Sequence, residues 1–311
     1  MKKLLTLFCV FACFFVQAVY ASGQSQGNSS GSSGTPKPGG ATNQNPLGLA
    51  GHALSNMDNT FSSLDEEEIT PQDAYFLGRA VAANILSVYK PYTQNQELTR
   101  YLNRICQTIA INSPQPEMFN GYHVIVLDSN EFNAFASPGG HILITKKLVD
   151  AAASEEMLAA VIAHEFAHIL LQHGVNLVAE MRLNDALNAT ADRAAGIAAR
   201  ESKEAARAVL FRSSVTKLAD AMMKSGYAQP QEFEADATAI TLLAAAGYNP
   251  GAMVEMLKIL QQTQGSQRGG FNSTHPSPAQ RLANAERMNN RYRVQDTSSY
   301  RLPRFKRTLA R

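Results

Sequence analysis

Read as a string of apolar and polar positions, the chain is dominated by one stretch. From residue 157 to 171 almost every position is apolar, with no Gly or Pro, and only His164, Glu165 and His168 interrupt the run. That pattern predicts a helix buried on most sides. Ser154 is a good N-cap for it, and Glu155 and Glu156 occupy the first turn, where the helix dipole favours acids. Its expected end is near His173, with Gly174 just past the last turn. Upstream, Thr70-Pro71 predicts the start of a helix over 71–88. Residues 96–111 carry Leu98, Tyr101, Leu102, Ile105, Cys106 and Ile109 at helical spacing. Residues 122–127, 132–135 and 141–145 read as short strands, separated by turn signals at Asp128-Ser-Asn130 and Pro138-Gly-Gly140. They predict a small antiparallel sheet ahead of the histidine helix. Downstream the pattern is helical over 175–200, 203–224, 230–246, 250–262 and 278–289, with a Gly-rich loop over 264–273. The expected class is α+β, mainly α.

The three polar residues in the apolar run need partners, because unpaired polar groups are costly to bury. His164 and His168 are four apart, so both rings project from one face. This is the spacing of the H-E-x-x-H zinc site, with Glu165 on the flank between them. The competing reading of a bare five-residue match is two solvated histidines, and the apolar surroundings weigh against it. A catalytic zinc has three protein ligands and an open position. In Gln231-Glu232-Phe-Glu-Ala-Asp236, Glu232 and Asp236 share a helical face, with Ala235 and Ala239 permitting close packing. Glu232 is therefore the expected third ligand. Asp236 is the expected acceptor for the non-ligating nitrogen of a zinc histidine. Glu234 points away and reads as solvated. His173 lies half a turn out of phase with His164 and is excluded as a ligand. His123 and His141, in the strand region, read as structural or exposed.

The chain has 311 residues, 45% hydrophobic and 17% charged, with a net charge of +2. This suits one main globular domain and gives no basis for nucleic-acid binding. Residues 1–21 read as a secretory signal peptide: Lys2 and Lys3, an apolar run over 4–16, then Val19-Tyr20-Ala21 before the cleavage point. An uncleaved membrane anchor is the alternative. Residues 22–62 are rich in Gly, Ser, Asn and Pro and read as a flexible linker. Residues 63–290 form the expected catalytic domain. The tail over 291–311, which after Tyr292 holds six Lys and Arg against Asp296 alone, reads as a solvated basic terminus. Cys9 and Cys13 lie in the signal segment, leaving Cys106 as a buried apolar residue.

His164-Glu-Phe-Ala-His168 together with Glu232-x-x-x-Asp236 resembles the gluzincin metallopeptidases that include HtpX, BepA and the CAAX prenyl proteases, metallopeptidase family forty-eight. Asn133-Ala-Phe-Ala-Ser-Pro-Gly-Gly140 is similar to that family's sheet-edge segment, and Thr274-His-Pro-Ser-Pro-Ala-Gln-Arg281 to its late His-Pro…Arg segment. The resemblance covers about residues 66–288. It implies a zincin fold and one zinc per chain, with Glu165 as general base on a zinc-bound water. It makes His275 an oxyanion stabiliser or a gating ligand on zinc, and has Arg281 position that loop or bind substrate. The edge at Asn133, Ala134 and Phe135 would hold substrate as an added strand. The membrane-embedded relatives' spanning helices and the BepA-like C-terminal helical repeats have no counterpart in the pattern. The implied protein is a soluble exported endopeptidase, in the periplasm of a Gram-negative bacterium. It would act on unfolded or misfolded envelope proteins, with peripheral association with the membrane or the outer-membrane assembly machinery. The alternative is a gated or inactive zinc protein serving as a chaperone or binding module. A closed structural zinc site is a third reading, for which Cys106 is badly placed.

Overall fold

Local sequence starts the first helices. Thr70 Oγ1 accepts from the Asp73 amide while the Asp73 carboxylate accepts from the Thr70 amide, and Pro71 takes the first helical position of α1 (Pro71–Val88). Asn95 Oδ1 accepts from Leu98 N and opens α2 (Gln96–Ile111). Ser154 Oγ accepts from Met157 N and opens the histidine helix. This computed structural model describes residues 69–193, 203–263, 275, 277–292 and 298–310. The expected signal segment, linker and Gly-rich loop lie outside the described residues.

Three strands follow α2: β1 (His123–Leu127), β2 (Ala134–Ser137) and β3 (His141–Thr145), in the spatial order β1-β3-β2. The sheet is mixed rather than antiparallel throughout. β2 and β3 form a hairpin across Pro138-Gly139-Gly140, where Gly139 (φ 68°) and Gly140 (φ 96°) take left-handed conformations that disfavour side chains. β1 instead runs parallel to β3, with His123 opposite His141 and Leu127 opposite Thr145. The segment after β1 does not fold back on it. Tyr92 N donates to Val126 O and Asp128 N to Lys90 O, so residues 90–92 cover the outer edge of β1. The chain then crosses to the far side of β3 before turning. β2 also begins at Ala134, two residues later than the pattern predicts.

The remaining described elements are α3 (Lys146–Ala151), α4 (Glu155–Leu170), α5 (His173–Arg193), α6 (Lys203–Lys224), α7 (Gln229–Ala245), α8 (Gly251–Thr263), α9 (Pro278–Asn289) and α10 (Ser298–Leu309). The sheet separates two apolar clusters, as the two-residue period of a strand requires. Leu127, Phe135 and Leu143 pack with Leu77, Val81 and Ile85 of α1 and with Val215 and Leu218 of α6. Val124, Val126, Ala134, Ala136, Ile142 and Ile144 face the main core of α2, α4, α7 and α8. The two alanines of β2 leave room for α4, which packs against that strand and runs along α7.

Two sequence expectations change here. α4 ends at Leu170, and Gln172 takes φ 56°, so the chain passes through a left-handed residue without using a glycine. α5 restarts at His173 after a bend of 42°. Gly174 is therefore not a helix terminator. It lies inside α5, where an added Cβ would stand 3.0 Å from Pro138 and 3.1 Å from the Tyr227 hydroxyl. The basic tail is not a plain solvated terminus either. Residues 298–309 form α10, Phe305 is buried, and Arg301 and Arg304 pair with Glu156 and Glu155 at the start of α4. Among the described residues no single helix is long and apolar enough to cross a membrane, although α4 and α5 pass that test as a bent pair.

Candidate metal centre

The site lies in the second half of α4, where helical phase puts His164 and His168 one turn apart with Glu165 beside them. All three are buried. The two Nε2 atoms are 3.2 Å apart. α7 supplies Glu232 in its first turn and Asp236 one turn on, both with no exposed surface. Glu232 Oε2 is 3.4 Å from His164 Nε2, and Glu232 Oε1 is 3.5 Å from His168 Nε2. Asp236 Oδ1 lies 3.0 Å from His164 Nδ1, on the side of the ring turned away from the cluster. His275 enters from the segment before α9, with Nδ1 2.8 Å from Glu232 Oε1. His164, His168, Glu232 and His275 each offer one ligand atom, and these atoms all lie within 4.8 Å of one another. Arg281 of α9 is buried beside them, giving Nε and Nη2 to the two Asp236 oxygens at 2.9 and 2.6 Å. Its Nη1 is 3.1 Å from Glu232 Oε2.

These residues fit a divalent cation on two counts. Three buried carboxyl groups, Glu165, Glu232 and Asp236, face one buried guanidinium, and uncompensated charge is expensive to bury. Glu165 Oε1 is also buried without a hydrogen-bond partner among the described residues, and Glu232 Oε2 has only its ion-pair contacts with Arg281 Nη1 and His164 Nε2. The donor set of imidazole nitrogens and a carboxylate suits zinc.

The electrostatics are uneven. Burial pushes Glu165 up to about 7, helped by Glu232 and opposed by His164 and Arg281. Burial and Arg281 push His164 down, but its contacts with Asp236 and Glu232 outweigh them and lift it to about 9. Burial holds His168 down at about 3 despite Glu232, and it lowers His275 as well. Burial would raise Glu232, yet His275, Arg281 and the two helix histidines hold it well below the usual carboxylate range. The metal-free cluster thus keeps a proton on His164, where a cation would otherwise compensate the carboxylates.

The structure brings together His164, Glu165, His168, Glu232, Asp236, His275 and Arg281. It does not bring in the side chains of Asn133, Ala134 and Phe135. Asn133 Oδ1 accepts from Ala134 N, and Phe135 points into the α1 and α6 cluster. β2 lies at the edge of the sheet and pairs only with β3 among the described residues, but all four of its residues are buried.

Two residues at the site escaped the sequence reading. His173 Nδ1 is 2.8 Å from His168 Nδ1. The phase argument that set it aside assumed one unbroken helix, and nothing in Leu171-Gln172 advertises the break. The ring of Tyr227 stacks on His168 at 4.3 Å and 16°, and its hydroxyl donates to Ala136 O at 3.3 Å. Tyr227 lies just before α7, where no periodicity marks it. Glu234 is exposed, as expected, yet its Oε2 lies 3.6 Å from His173 Nε2.

An H-E-x-x-H helix facing a glutamate from a second helix, with a buried spare carboxyl beside it, defines a metallopeptidase centre. The chain belongs to Peptidase family M48, whose model matches residues 93–289. It is 29% identical over 224 residues to the beta-barrel assembly-enhancing protease of Escherichia coli O157:H7, covering 70% of this chain and 45% of that protein. It is 26% identical over 238 residues to the mitochondrial metalloendopeptidase OMA1 of Schizosaccharomyces pombe, covering 72% of this chain and 61% of that one. The metalloprotease LoiP of Escherichia coli (strain K12) is 26% identical over 188 residues, covering 60% of this chain and 69% of LoiP. The chain spans about half the length of the beta-barrel assembly-enhancing proteases it matches.

Proposed function

We propose that the chain is a zinc-dependent endopeptidase that hydrolyses peptide bonds in unfolded or unassembled polypeptides. His164, His168 and Glu232 would hold the metal. When bound, zinc supplies the Lewis acidity that activates water and polarises a carbonyl. Glu165 takes the proton of the attacking water and delivers it to the leaving amine, a task suited to a carboxyl raised to about 7 by burial. Asp236 accepts from His164 Nδ1 and keeps its Nε2 turned to the cluster. Arg281 holds Asp236 and Glu232 in place rather than contacting substrate, since it is buried. The unpaired edge of β2 takes the substrate as an added strand through main-chain hydrogen bonds, largely without regard to side chains, once the packing that buries its four residues gives way. The observation that carries this reading is Glu165 Oε1, buried beside the histidine pair with no hydrogen-bond partner among the described residues.

His275 stands among the four groups able to ligate. Of its two expected roles this placement favours the gating ligand, which must leave before water and substrate share the centre. The chain then rests latent, and the chaperone or binding-module alternative describes its closed state. The relatives' name, beta-barrel assembly-enhancing protease, supports substrates among envelope proteins under assembly. The features of residues 1–21 support export, to the periplasm of a Gram-negative bacterium. The test is cleavage of an unfolded protein such as casein by the zinc-loaded chain, its Glu165→Gln variant and its His275→Ala variant. Cleavage by the parent or by His275→Ala, with none by Glu165→Gln, is the expected result. An active Glu165→Gln variant contradicts the mechanism.

A further inference from the structure

His168 meets a different kind of partner from His164. Behind His164 stands a carboxylate, Asp236, itself clamped by Arg281. Behind His168 stands a third histidine, with the two Nδ1 atoms 2.8 Å apart and both side chains buried. A contact of that length between ring nitrogens holds one proton: one ring donates and the other accepts. His168 Nε2 faces His164 and Glu232, and a nitrogen that ligates a metal must offer its lone pair. The shared proton therefore sits on His168 Nδ1, and His173 Nδ1 accepts it. His173 must then carry its own proton on Nε2, the atom that faces Glu234.

We propose that His173 is a positioning residue for His168, accepting the proton of its Nδ1 and so fixing the tautomer and ring angle that turn Nε2 to the metal. This rests on the metal-centre reading above. The fold places His173 there by means of the break at Gln172, which restarts the helix and turns the first residue of α5 back onto the last turns of α4. Tyr227 closes the other side of the same ring by stacking on it. Gly174, next in the chain, leaves the space that Tyr227 and Pro138 occupy. His168 is thus held at its edge by His173 and on its face by Tyr227.

The test uses three substitutions in the full chain and reads zinc affinity by competition with a chelator. Asn places an amide oxygen where His173 Nδ1 stands, Gln places its polar atoms where Nε2 stands, and Leu offers neither. His173→Leu and His173→Gln are expected to weaken zinc binding by about ten- to a hundred-fold, the usual effect of losing a ligand's hydrogen-bonded support. His173→Asn is expected to restore most of it. Nitrogen NMR of the zinc-loaded parent is expected to show His168 protonated at Nδ1. Equal zinc affinity in the Asn and Gln variants overturns the proposal even if the Leu variant fails to fold, and so does an unprotonated Nδ1. The His164→Ala control separates the two claims. If the parent binds zinc and His164→Ala does not, the metal centre stands whatever His173 does. If the parent itself binds no zinc, the metal centre falls and this proposal with it.

Discussion

The two ends of α4 each bury acids, and they treat them in opposite ways. At the first turn, Glu155 accepts from the hydroxyls of Tyr101 and Tyr248 at 2.6 and 3.1 Å and from the fork of Arg304, while Glu156 accepts from Arg301 at 3.0 Å. Two acids meet two guanidiniums, and each of the named carboxylate oxygens has a partner. Near the other end, Glu165, Glu232 and Asp236 share Arg281, and Glu165 Oε1 has no hydrogen-bond partner among the described residues. Both ends lie in the same core on the same helix, so burial alone does not distinguish them. What distinguishes them is completeness: the first cluster fastens α10 to the start of α4 with two guanidiniums, and the second is balanced only through a proton on His164, at the place a cation would take. Buried charge without local compensation is the mark of a site.

That contrast can be broken at four points, taken from the largest effect to the smallest. Glu165→Gln should lower peptide-bond cleavage by about a hundred- to ten-thousand-fold, the range for loss of a general base, while zinc content stays at the parent level. Arg281→Ala should leave Asp236 and Glu232 buried without their counter-charge. It should cost about 3–5 kcal/mol of stability in a denaturant titration of the metal-free chain. Zinc binding should depend on pH with a fixed sign. His164 is held up at about 9 in the metal-free cluster, so it carries a proton at neutral pH that the metal must displace. Affinity should therefore rise with pH by up to about tenfold per unit and level off above about 9. A chelator competition that shows affinity falling as pH rises would remove His164 from the ligand set. Arg304→Ala at the other end should cost only about 1 kcal/mol, because that side chain is half exposed and Glu155 keeps both tyrosine hydroxyls. It should leave zinc affinity unchanged. If Arg304→Ala and Arg281→Ala cost the same, the two ends are not different in kind.

The sequence made the candidate metal centre legible because phase within one helix is enough to place its parts. Four-residue spacing in α4 puts His164 above His168, and the same spacing in α7 puts Glu232 above Asp236. Parts joined by tertiary structure were less legible. The sheet is mixed because the segment over 90–92 pairs with β1, and that long-range pairing leaves no mark on the strand's own alternation. His173 joined the site because Gln172 accepts a left-handed conformation usually left to Gly or Asn, so the helix break has no sequence signal. The basic tail showed the limit of charge counting, since Arg301 and Arg304 resemble any solvated pair until Glu155 and Glu156 are found across from them. His275 and Arg281 were reached through the late His-Pro…Arg segment rather than through spacing. The structure puts both at the cluster and gives Arg281 the work of clamping carboxylates.

The central claim is that the uncompensated cluster, and not the compensated one, holds the metal. Zinc stoichiometry and affinity of the full chain, measured side by side with Glu232→Ala and Arg304→Ala, test it most directly. One tightly held zinc in the parent and in Arg304→Ala, with binding lost or weakened by orders of magnitude in Glu232→Ala, is the predicted result. Parent-like zinc binding by Glu232→Ala would contradict the account and place the metal elsewhere.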